Sequence, residues 1–253
     1  MTTNGLLENK TALVYGGAGS IGSAMARAFA EEGAHVFLAG RTLSTLDVVA
    51  DDIRAKGGEA TSAVVDALDE QSVRSFVDGV ADQQGRVDIS VNVIDIGDVQ
   101  RPIDDLSAEE FLQPIVTATR TQFLTASAAV KHMRRQGSGV IIMFGGSGGN
   151  PMTGIGGLTV ALDAVEGFRR QFSVEFGGAG IRVVTLKTGG IAESLPADFP
   201  GRDELEQSLE DMTMLRRTAT FADVGNTAAF VASDKAATMT AATVNISCGA
   251  LVD

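Results

Sequence analysis

Short apolar runs alternate with amphipathic helical stretches along the whole chain, and this alternation restricts the possible folds more than any other feature. Runs that are apolar throughout, rather than at every second residue, are typical of parallel strands covered on both faces. Right-handed connections through the intervening helices then predict an α/β fold with a doubly wound parallel sheet, about seven strands with helices on both faces. The predicted strands are residues 11–15, 35–39, 60–65, 87–93, 140–144, 181–186 and 243–246.

The same pattern predicts a single domain over residues 1–253, because we find no internal repeat, low-complexity tract or linker. Ser107 and Glu110 have the spacing of a capping box before a long helix, in which Pro114 predicts a bend or a broken start. A polar segment, residues 192–217, interrupts the alternation and is the predicted substrate loop or lid.

Composition excludes several classes of function. Lys and Arg number 20 against 32 Asp and Glu, a net charge of -12, which opposes binding to nucleic acid or to an anionic membrane. The single cysteine, Cys248, allows no internal disulfide, and the two histidines do not have the spacing of metal ligands, so no metal site is predicted. With no secretory signal and no apolar run long enough to span a membrane, we expect a cytoplasmic protein.

A glycine-rich sequence, YGGAGSIG at residues 15–22, lies between the first predicted strand and the first predicted helix. Gly17, Gly19 and Gly22 match GxGxxG, in which glycines let the backbone approach a pyrophosphate at a helix N-terminus. The alternative is a structural turn that binds nothing. The residues predicted to contact a dinucleotide here are Gly16, Gly17, Gly19, Ser20, Ile21 and Gly22.

The end of the second predicted strand indicates which dinucleotide is bound. An acidic residue there would bind the adenosine ribose of NAD, but this chain has Gly40 followed by Arg41. A guanidinium suits a 2′-phosphate, so NADP(H) is favoured over NAD(H); the alternative is that Arg41 is a solvated loop cation. Asp66, with Ala67 after it, is a candidate contact for adenine or an ordinary helix cap.

Several segments resemble the short-chain dehydrogenase/reductase family, whose fold is of the Rossmann type, over essentially the whole length. YGGAGSIG is similar to the family's TGxxxGxG, with Tyr15 replacing the threonine. Asn92 remains from the family's NNAG, and Thr188–Gly189 replaces its PG. The resemblance implies that Asn92, Gly189 and Ile191 contact the cofactor. The other similar segments are VDALD at 65–69, AVEGF at 164–168, GIRVV at 180–184 and NISCGA at 245–250.

The family's catalytic residues have no counterparts at the matching positions. The resemblance implies a serine, a Tyr-x-x-x-Lys pair and an asparagine, with the tyrosine as proton donor. The tyrosine and lysine positions hold Leu158 and Leu162, and the asparagine position holds Ala118. The serine position falls on Gly145 or Gly146. A shifted alignment does not restore the pair, because the only tyrosine lies in the phosphate loop and no lysine lies within 156–176.

Three other residues are candidate replacements for the missing catalytic groups. Ser147 could donate a hydrogen bond or could cap a turn in its glycine-rich loop. Lys187 could approach the cofactor or could end its strand with its ammonium in solvent. Thr159 could donate a proton, although a helix-packing role is the simpler interpretation, as it is for Asp95 and Asp163.

Two functions therefore remain open, and a third has less support. The first is a cofactor-binding protein without the family's carbonyl chemistry, and the second is an active oxidoreductase with another proton donor. A non-redox enzyme has no carboxylate pair or histidine dyad to support it. The long helices predicted at 108–133 and 156–176 pair across subunits in the resembling family, which implies a homodimer or homotetramer. The substrate or other small-molecule ligand cannot be read from the sequence.

Overall fold

Seven parallel strands form one sheet in the computed structural model, which describes residues 5–145, 153–195 and 198–252. The strand order is β3-β2-β1-β4-β5-β6-β7, and every neighbouring pair is parallel. This confirms the predicted doubly wound sheet. The strands are β1 Thr11–Tyr15, β2 His35–Gly40, β3 Glu59–Val64, β4 Ile89–Asn92, β5 Gly139–Phe144, β6 Ile181–Lys187 and β7 Ala242–Asn245.

Helices cover both faces of the sheet. On one face, α1, α2 and α7 enclose a core that includes Ala12 and Val14 of β1, and on the other, α3, α4 and α5 enclose a core that includes Leu13 and Tyr15. Burial on both faces explains why the strands read as uninterrupted apolar runs. The helices are α1 Ser20–Glu31, α2 Leu43–Ala55, α3 Glu70–Gln84, α4 Ala108–Gln136, α5 Gly156–Phe176, α6 Arg202–Asp211 and α7 Phe221–Ala232.

The strand order changes direction at β1: β2 and β3 lie on one side of it, and β4 to β7 follow on the other. The loops that follow β1 and β4 therefore leave the sheet towards opposite faces and open a crevice at the carboxyl ends of the strands. Ligands of doubly wound folds bind in this crevice. The glycine-rich loop after β1 and the loop after Asn92 are its two borders.

The start of α4 differs in part from the sequence prediction. The predicted capping box is present: the Ser107 hydroxyl accepts from the Glu110 N–H at 3.2 Å, and the Glu110 carboxylate accepts from the Ser107 N–H at 2.9 Å. The predicted broken start at Pro114 is wrong, because α4 continues through it. Pro114 is buried against α5, where a Cβ on Gly157 would lie 3.0 Å from its Cγ, so tertiary packing outweighs the lost backbone hydrogen bond.

The segment 192–217 contains a helix that the sequence analysis did not predict. Helix α6 is ten residues long, RDELEQSLED, and has no buried residue. Its two leucines, Leu205 and Leu209, are too few to make a periodic apolar stripe, which is why it read as a polar interruption. Leu209 nevertheless lies beside the turn after β6, where a Cβ on Gly190 would be 3.3 Å from its Cδ2.

Two further observations concern the described residues alone. None of their helices combines the length and the hydropathy needed to cross a membrane. Their His, Cys, Asp and Glu side chains do not converge in groups of three that could hold a metal ion. The cysteine, Cys248, is half-buried and reduced.

Candidate functional site

The loop after β1 turns tightly and depends on glycine. The N–H groups of Gly16 and Gly17 donate to the Ala39 carbonyl at 2.9 and 3.3 Å. Gly16 has a φ of +79°, and a Cβ there would lie 2.7 Å from the Val93 carbonyl oxygen. A Cβ on Gly22 would lie 2.2 Å from the Gly16 carbonyl oxygen. Any larger residue would displace backbone at both positions, so the loop keeps its shape only with glycine there.

Helix α1 begins directly at this loop with an open first turn. Its cap residue, Gly19, supplies no side-chain hydrogen bond, and the first turn contains no acidic residue. The first N–H groups of any helix, here those of Ser20 and Ile21, have no intrahelical acceptor, and the helix dipole adds positive potential at this end. These features fit the pyrophosphate of a dinucleotide.

A cavity of about 420 Å³, here called the nucleoside cavity, extends from the loop over the carboxyl ends of β1, β2 and β3. Arg41 lines it, is exposed, and makes no hydrogen bond or ion pair within residues 5–145, 153–195 and 198–252. Its guanidinium is therefore available to an anionic group of a ligand. The other lining residues include Tyr15, Gly16, Gly19, Ala39, Asp66 and Ala67.

Asp66 lies at the rim of the nucleoside cavity and is not a helix cap. Its carboxylate accepts from the Leu68 N–H at 3.0 Å, within its own turn. The cap of α3 is Asp69, whose carboxylate accepts from the Gln71 N–H at 2.8 Å. The helix-cap interpretation of Asp66 is wrong, and its contact with adenine stays a prediction.

A second cavity, of about 380 Å³, adjoins the first at the ends of β4 and β5 and is here called the leucine cavity. Val93, Ile94, Asp95 and Thr121 line both cavities. The polar side chains of the leucine cavity include Asn92, Gln122 and Thr188. Its apolar wall consists of Ile21, Ala118, Phe144, Leu158, Leu162 and Val165.

The leucine cavity brings together the positions at which the sequence comparison placed catalytic side chains. Ala118 comes from α4, and Leu158 and Leu162 come from successive turns of α5. Gly145 follows β5 with a φ of +82°, and a Cβ there would lie 2.8 Å from Leu162 Cδ2. Leu162 therefore occupies the space that a serine side chain at position 145 would need.

Similarity to known proteins agrees with this architecture. The family model described as "Enoyl-(Acyl carrier protein) reductase" matches residues 16–250, from the first glycine of the loop to the C-terminal turn. The chain belongs to the short-chain dehydrogenase/reductase family. This family consists of oxidoreductases with a nucleotide-binding fold, and its members bind nicotinamide cofactors.

Relatives and solved structures cover nearly the whole chain. A 7alpha-hydroxysteroid dehydrogenase from Clostridium sardiniense is 30% identical over 234 residues, 90% of this chain and 88% of that protein. The crystal structure of a putative short-chain alcohol dehydrogenase from Sinorhizobium meliloti has a TM-score of 0.89 at 26% identity, with 96% and 97% of the two chains covered. A short-chain type dehydrogenase/reductase from Mycobacterium marinum has a TM-score of 0.86 at 29% identity, covering 96% of each chain.

In this short-chain dehydrogenase/reductase, the Asn92 side chain forms hydrogen bonds with residues that border the crevice. Its side-chain amide donates to the Thr125 hydroxyl at 3.3 Å, and its carbonyl oxygen accepts from the Ile94 N–H at 3.1 Å. Both hydrogen bonds hold the loop that leaves β4. A contact between Asn92 and the cofactor stays a prediction.

Gly189 and Ile191, which follow β6, pack against other parts of the protein. A Cβ on Gly189 would lie 2.6 Å from the Ala250 side chain, so close contact with the C-terminal turn requires glycine there. Ile191 is 6% exposed and belongs to the core on the α1 side of the sheet. Thr188, between β6 and these residues, lines the leucine cavity.

The three candidate replacements are not equally available. The Thr159 hydroxyl donates to the Ile155 carbonyl at 2.9 Å, within its own helix. Lys187 is 3% exposed, so the expectation that its ammonium reaches solvent is wrong. The physical reason is that β6 lies inside the sheet, between β5 and β7. Ser147, like Gly146, lies outside the described residues.

Sequence reasoning missed two polar residues of the leucine cavity, Thr121 and Gln122. Both are buried on α4, three and four positions after Ala118, and therefore share its helix face. The sequence did contain a signal for them, because polar residues are unusual on a helix face that packs against a sheet. The Gln122 amide donates to the Asn92 carbonyl at a long 3.5 Å.

A buried ion pair lies on α5 one turn beyond Leu162, away from the cavity. The guanidinium of Arg169 donates to the Glu166 carboxylate at 2.9 and 3.0 Å, and the Thr243 hydroxyl donates to it at 2.9 Å. Burial raises the pKa of Glu166, but Arg169 and the neighbouring hydroxyls lower it further, so the net pKa lies below its ordinary value. This charge pair connects α5 to β7.

Proposed function

We propose that this protein binds NADP(H) through its glycine-rich loop and Arg41 but lacks the pair of side chains with which the family transfers protons. It is then a cofactor-binding member that does not perform the standard carbonyl or alcohol chemistry, for example a partner subunit or a metabolite-responsive binding protein. The observation that carries the proposal is the apolar wall of Ala118, Leu158 and Leu162 beside an intact phosphate-binding loop.

The preference for NADP(H) rests on the end of β2. Gly40 presents no carboxylate to a ribose hydroxyl or against a phosphate, and the Arg41 guanidinium has no competing partner in the described part of the chain. Hydrogen bonds from a guanidinium to a phosphate are among the strong ones. Both features favour a 2′-phosphate at this position.

The absence of proton transfer follows from the side chains that face the nicotinamide end. When bound, the cofactor would supply hydride chemistry, but Leu158 and Leu162 have no proton to give. Among the described residues that line the leucine cavity, Asp95 is the ionisable one. Its carboxylate accepts from the Gly97 N–H at 2.9 Å. Loss of general-acid catalysis lowers a rate by about 10²–10⁴-fold.

Binding and turnover measurements on the pure protein test this proposal. Calorimetry should show tighter binding of NADP⁺ than of NAD⁺, and a panel of carbonyls and alcohols should give no turnover. The panel includes hydroxysteroids, since one relative is named for acting on them. No heat of binding with either dinucleotide at millimolar concentration contradicts cofactor binding, whereas steady NADPH oxidation with product formation contradicts the loss of chemistry.

An active oxidoreductase with another proton donor is the second candidate, and the open leucine cavity favours it. About 380 Å³ remains between the apolar wall and the polar side chains of Asn92, Thr121 and Gln122, enough for a small substrate. The proton would come from water, the substrate, Ser147 or Thr159. If turnover is found, Ser147→Ala and Thr159→Ala test the two hydroxyls, and unchanged rates in both variants exclude them.

We also propose a homodimer, or a tetramer built from it, through the outer faces of α4 and α5. A groove of about 970 Å³ between these helices is lined by Phe123, which is 52% exposed, and by the row Phe168, Phe172 and Phe176. Phe172 and Phe176 are 6% and 7% exposed, so Phe123 is the exposed ring, and an exposed aromatic side chain beside a groove is typical of interfaces. Phe123→Asp should convert the assembly to monomers in light scattering, and a monomeric wild type at micromolar concentration contradicts the proposal.

A further inference from the structure

The hydroxyl of Tyr15 is buried and has no hydrogen-bond partner in the part of the chain that the structure describes. Tyr15 is the only tyrosine of the chain, ends β1, and is 1% exposed. No acceptor or donor among the described residues reaches its hydroxyl. Most buried polar groups in folded proteins are paired, so an unpaired one calls for an explanation such as a ligand.

Tyr15 lies between the sheet core and the nucleoside cavity. Its ring packs edge-on against Phe76 of α3, with ring centroids 5.7 Å apart at 80°. In the sheet it pairs with Ala39 on one side and Asn92 on the other, and it lines the nucleoside cavity together with Ala67. Tyr15 therefore lines a ligand cavity, and the one strong polar group of its side chain is buried and unpaired among the described residues.

We propose that the Tyr15 hydroxyl recognises the base of the bound nucleotide by donating a hydrogen bond to a ring nitrogen of the purine. This assignment rests on the proposed function, because it requires a dinucleotide in the nucleoside cavity. With the phosphates at the start of α1 and the ribose near Arg41, the base is left over the ends of β1 and β3. Tyr15, Asp66 and Ala67 line the cavity there.

The chemistry of the two partners is complementary. Purine rings carry nitrogens that accept but do not donate, and a phenol is a good donor. Burial raises the pKa of Tyr15 far above its ordinary value, so the hydroxyl keeps its proton at neutral pH. The carboxylate of Asp66 can accept from an exocyclic amino group at the other edge of the same base, which would select adenine.

Tyr15→Phe removes the hydroxyl and keeps the ring against Phe76. Calorimetry should show AMP and NADP⁺ binding weakened by about 2- to 10-fold, the range of one hydrogen bond, with nicotinamide mononucleotide unaffected because it has no purine. The ligand-free variant should melt at the same temperature or higher, since an unpaired buried group is lost. Ser62→Ala is the matched control: it also removes an unpaired buried hydroxyl, from β3, and should leave nucleotide affinity unchanged.

Because the chain has one tyrosine, ζ-¹³C-tyrosine labelling gives a single NMR signal that reports on this hydroxyl. AMP should shift that signal and nicotinamide mononucleotide should not. Wild-type protein that binds AMP with no shift, together with unchanged AMP affinity in Tyr15→Phe, overturns the assignment and leaves the proposed function standing. Failure of the wild type to bind either AMP or NADP⁺ overturns both.

Discussion

Two cavities lie side by side at the same edge of the sheet and share part of their walls, yet their linings differ in kind. The nucleoside cavity is bordered by a backbone loop in which glycine is required at two positions, and by Arg41, whose guanidinium is unpaired within the described residues. The leucine cavity presents an apolar wall where catalytic side chains are expected from the family.

The difference shows how binding and chemistry depend on different parts of a chain. Dinucleotide binding uses backbone N–H groups and a helix dipole, so it survives any side-chain change that keeps the glycines. Proton transfer uses a few side chains, and Leu158 and Leu162 line the cavity where the family has ionisable groups, with Leu162 beside Gly145. One cavity can therefore be retained while its neighbour is altered.

The largest effect should come from removing the backbone basis of the nucleoside cavity. In Gly22→Val the new Cβ would lie 2.2 Å from the Gly16 carbonyl oxygen, so the loop must open. Calorimetry should detect no NADP⁺ binding, and the free energy of unfolding should fall by about 1–3 kcal/mol. In the control Gly79→Ala, on α3, the added methyl meets no atom within 4 Å. That variant should bind NADP⁺ normally, and its free energy of unfolding should rise by about 0.5–1 kcal/mol. Equal NADP⁺ binding by both variants would contradict the requirement for glycine at position 22.

The next test tries to make the leucine cavity resemble an active site. Combining Leu158→Tyr with Leu162→Lys should raise NADPH-dependent carbonyl reduction about 100-fold or more above wild type, because a proton donor and a cation then face the nicotinamide. The shape-matched pair Leu158→Phe with Leu162→Met should stay at the wild-type rate. Similar rates in both double variants would show that the missing pair does not limit turnover.

A smaller effect is expected at Arg41, and it separates the two dinucleotides. Arg41→Ala should weaken NADP⁺ binding by about 10- to 100-fold, the range for hydrogen bonds to a charged group, and leave NAD⁺ binding unchanged. Arg74→Ala is the control, because Arg74 pairs with Glu70 on the outside of α3. A parallel loss of both dinucleotides in Arg41→Ala would place the guanidinium on the pyrophosphate instead.

The smallest effect concerns the ion pair behind the leucine cavity. The pKa of Glu166 lies below its ordinary value of 4.5, so its carboxylate stabilises the fold above that pH and the stabilisation is lost as the pH falls through the lower, folded-state pKa. Glu166→Gln should lower the free energy of unfolding by about 1 kcal/mol at pH 7 and flatten its decline below pH 4.5. Urea unfolding at pH 7 and below pH 4.5 measures these free energies. Nucleotide affinity is the control and should not change.

Much of the fold was predictable, and the exceptions have physical reasons. Strands buried on both faces are continuously apolar, and capping residues are local signals, so the sheet, the cap at Ser107 and helix α5 at 156–176 follow from the pattern. Pro114 was misjudged because its packing against α5 outweighs one backbone hydrogen bond. Helix α6 was missed because it buries no residue and so has no apolar stripe.

The sequence by itself determined the glycine-rich loop and the doubly wound sheet, because both depend on neighbours along the chain. Only the tertiary structure decided which distant residues share a cavity. It placed Thr121 and Gln122 in one cavity with Leu158, brought Leu162 next to Gly145, and left the Tyr15 hydroxyl with no partner among the described residues. These contacts join residues far apart in sequence, which meet because parallel crossovers return every strand to the same edge.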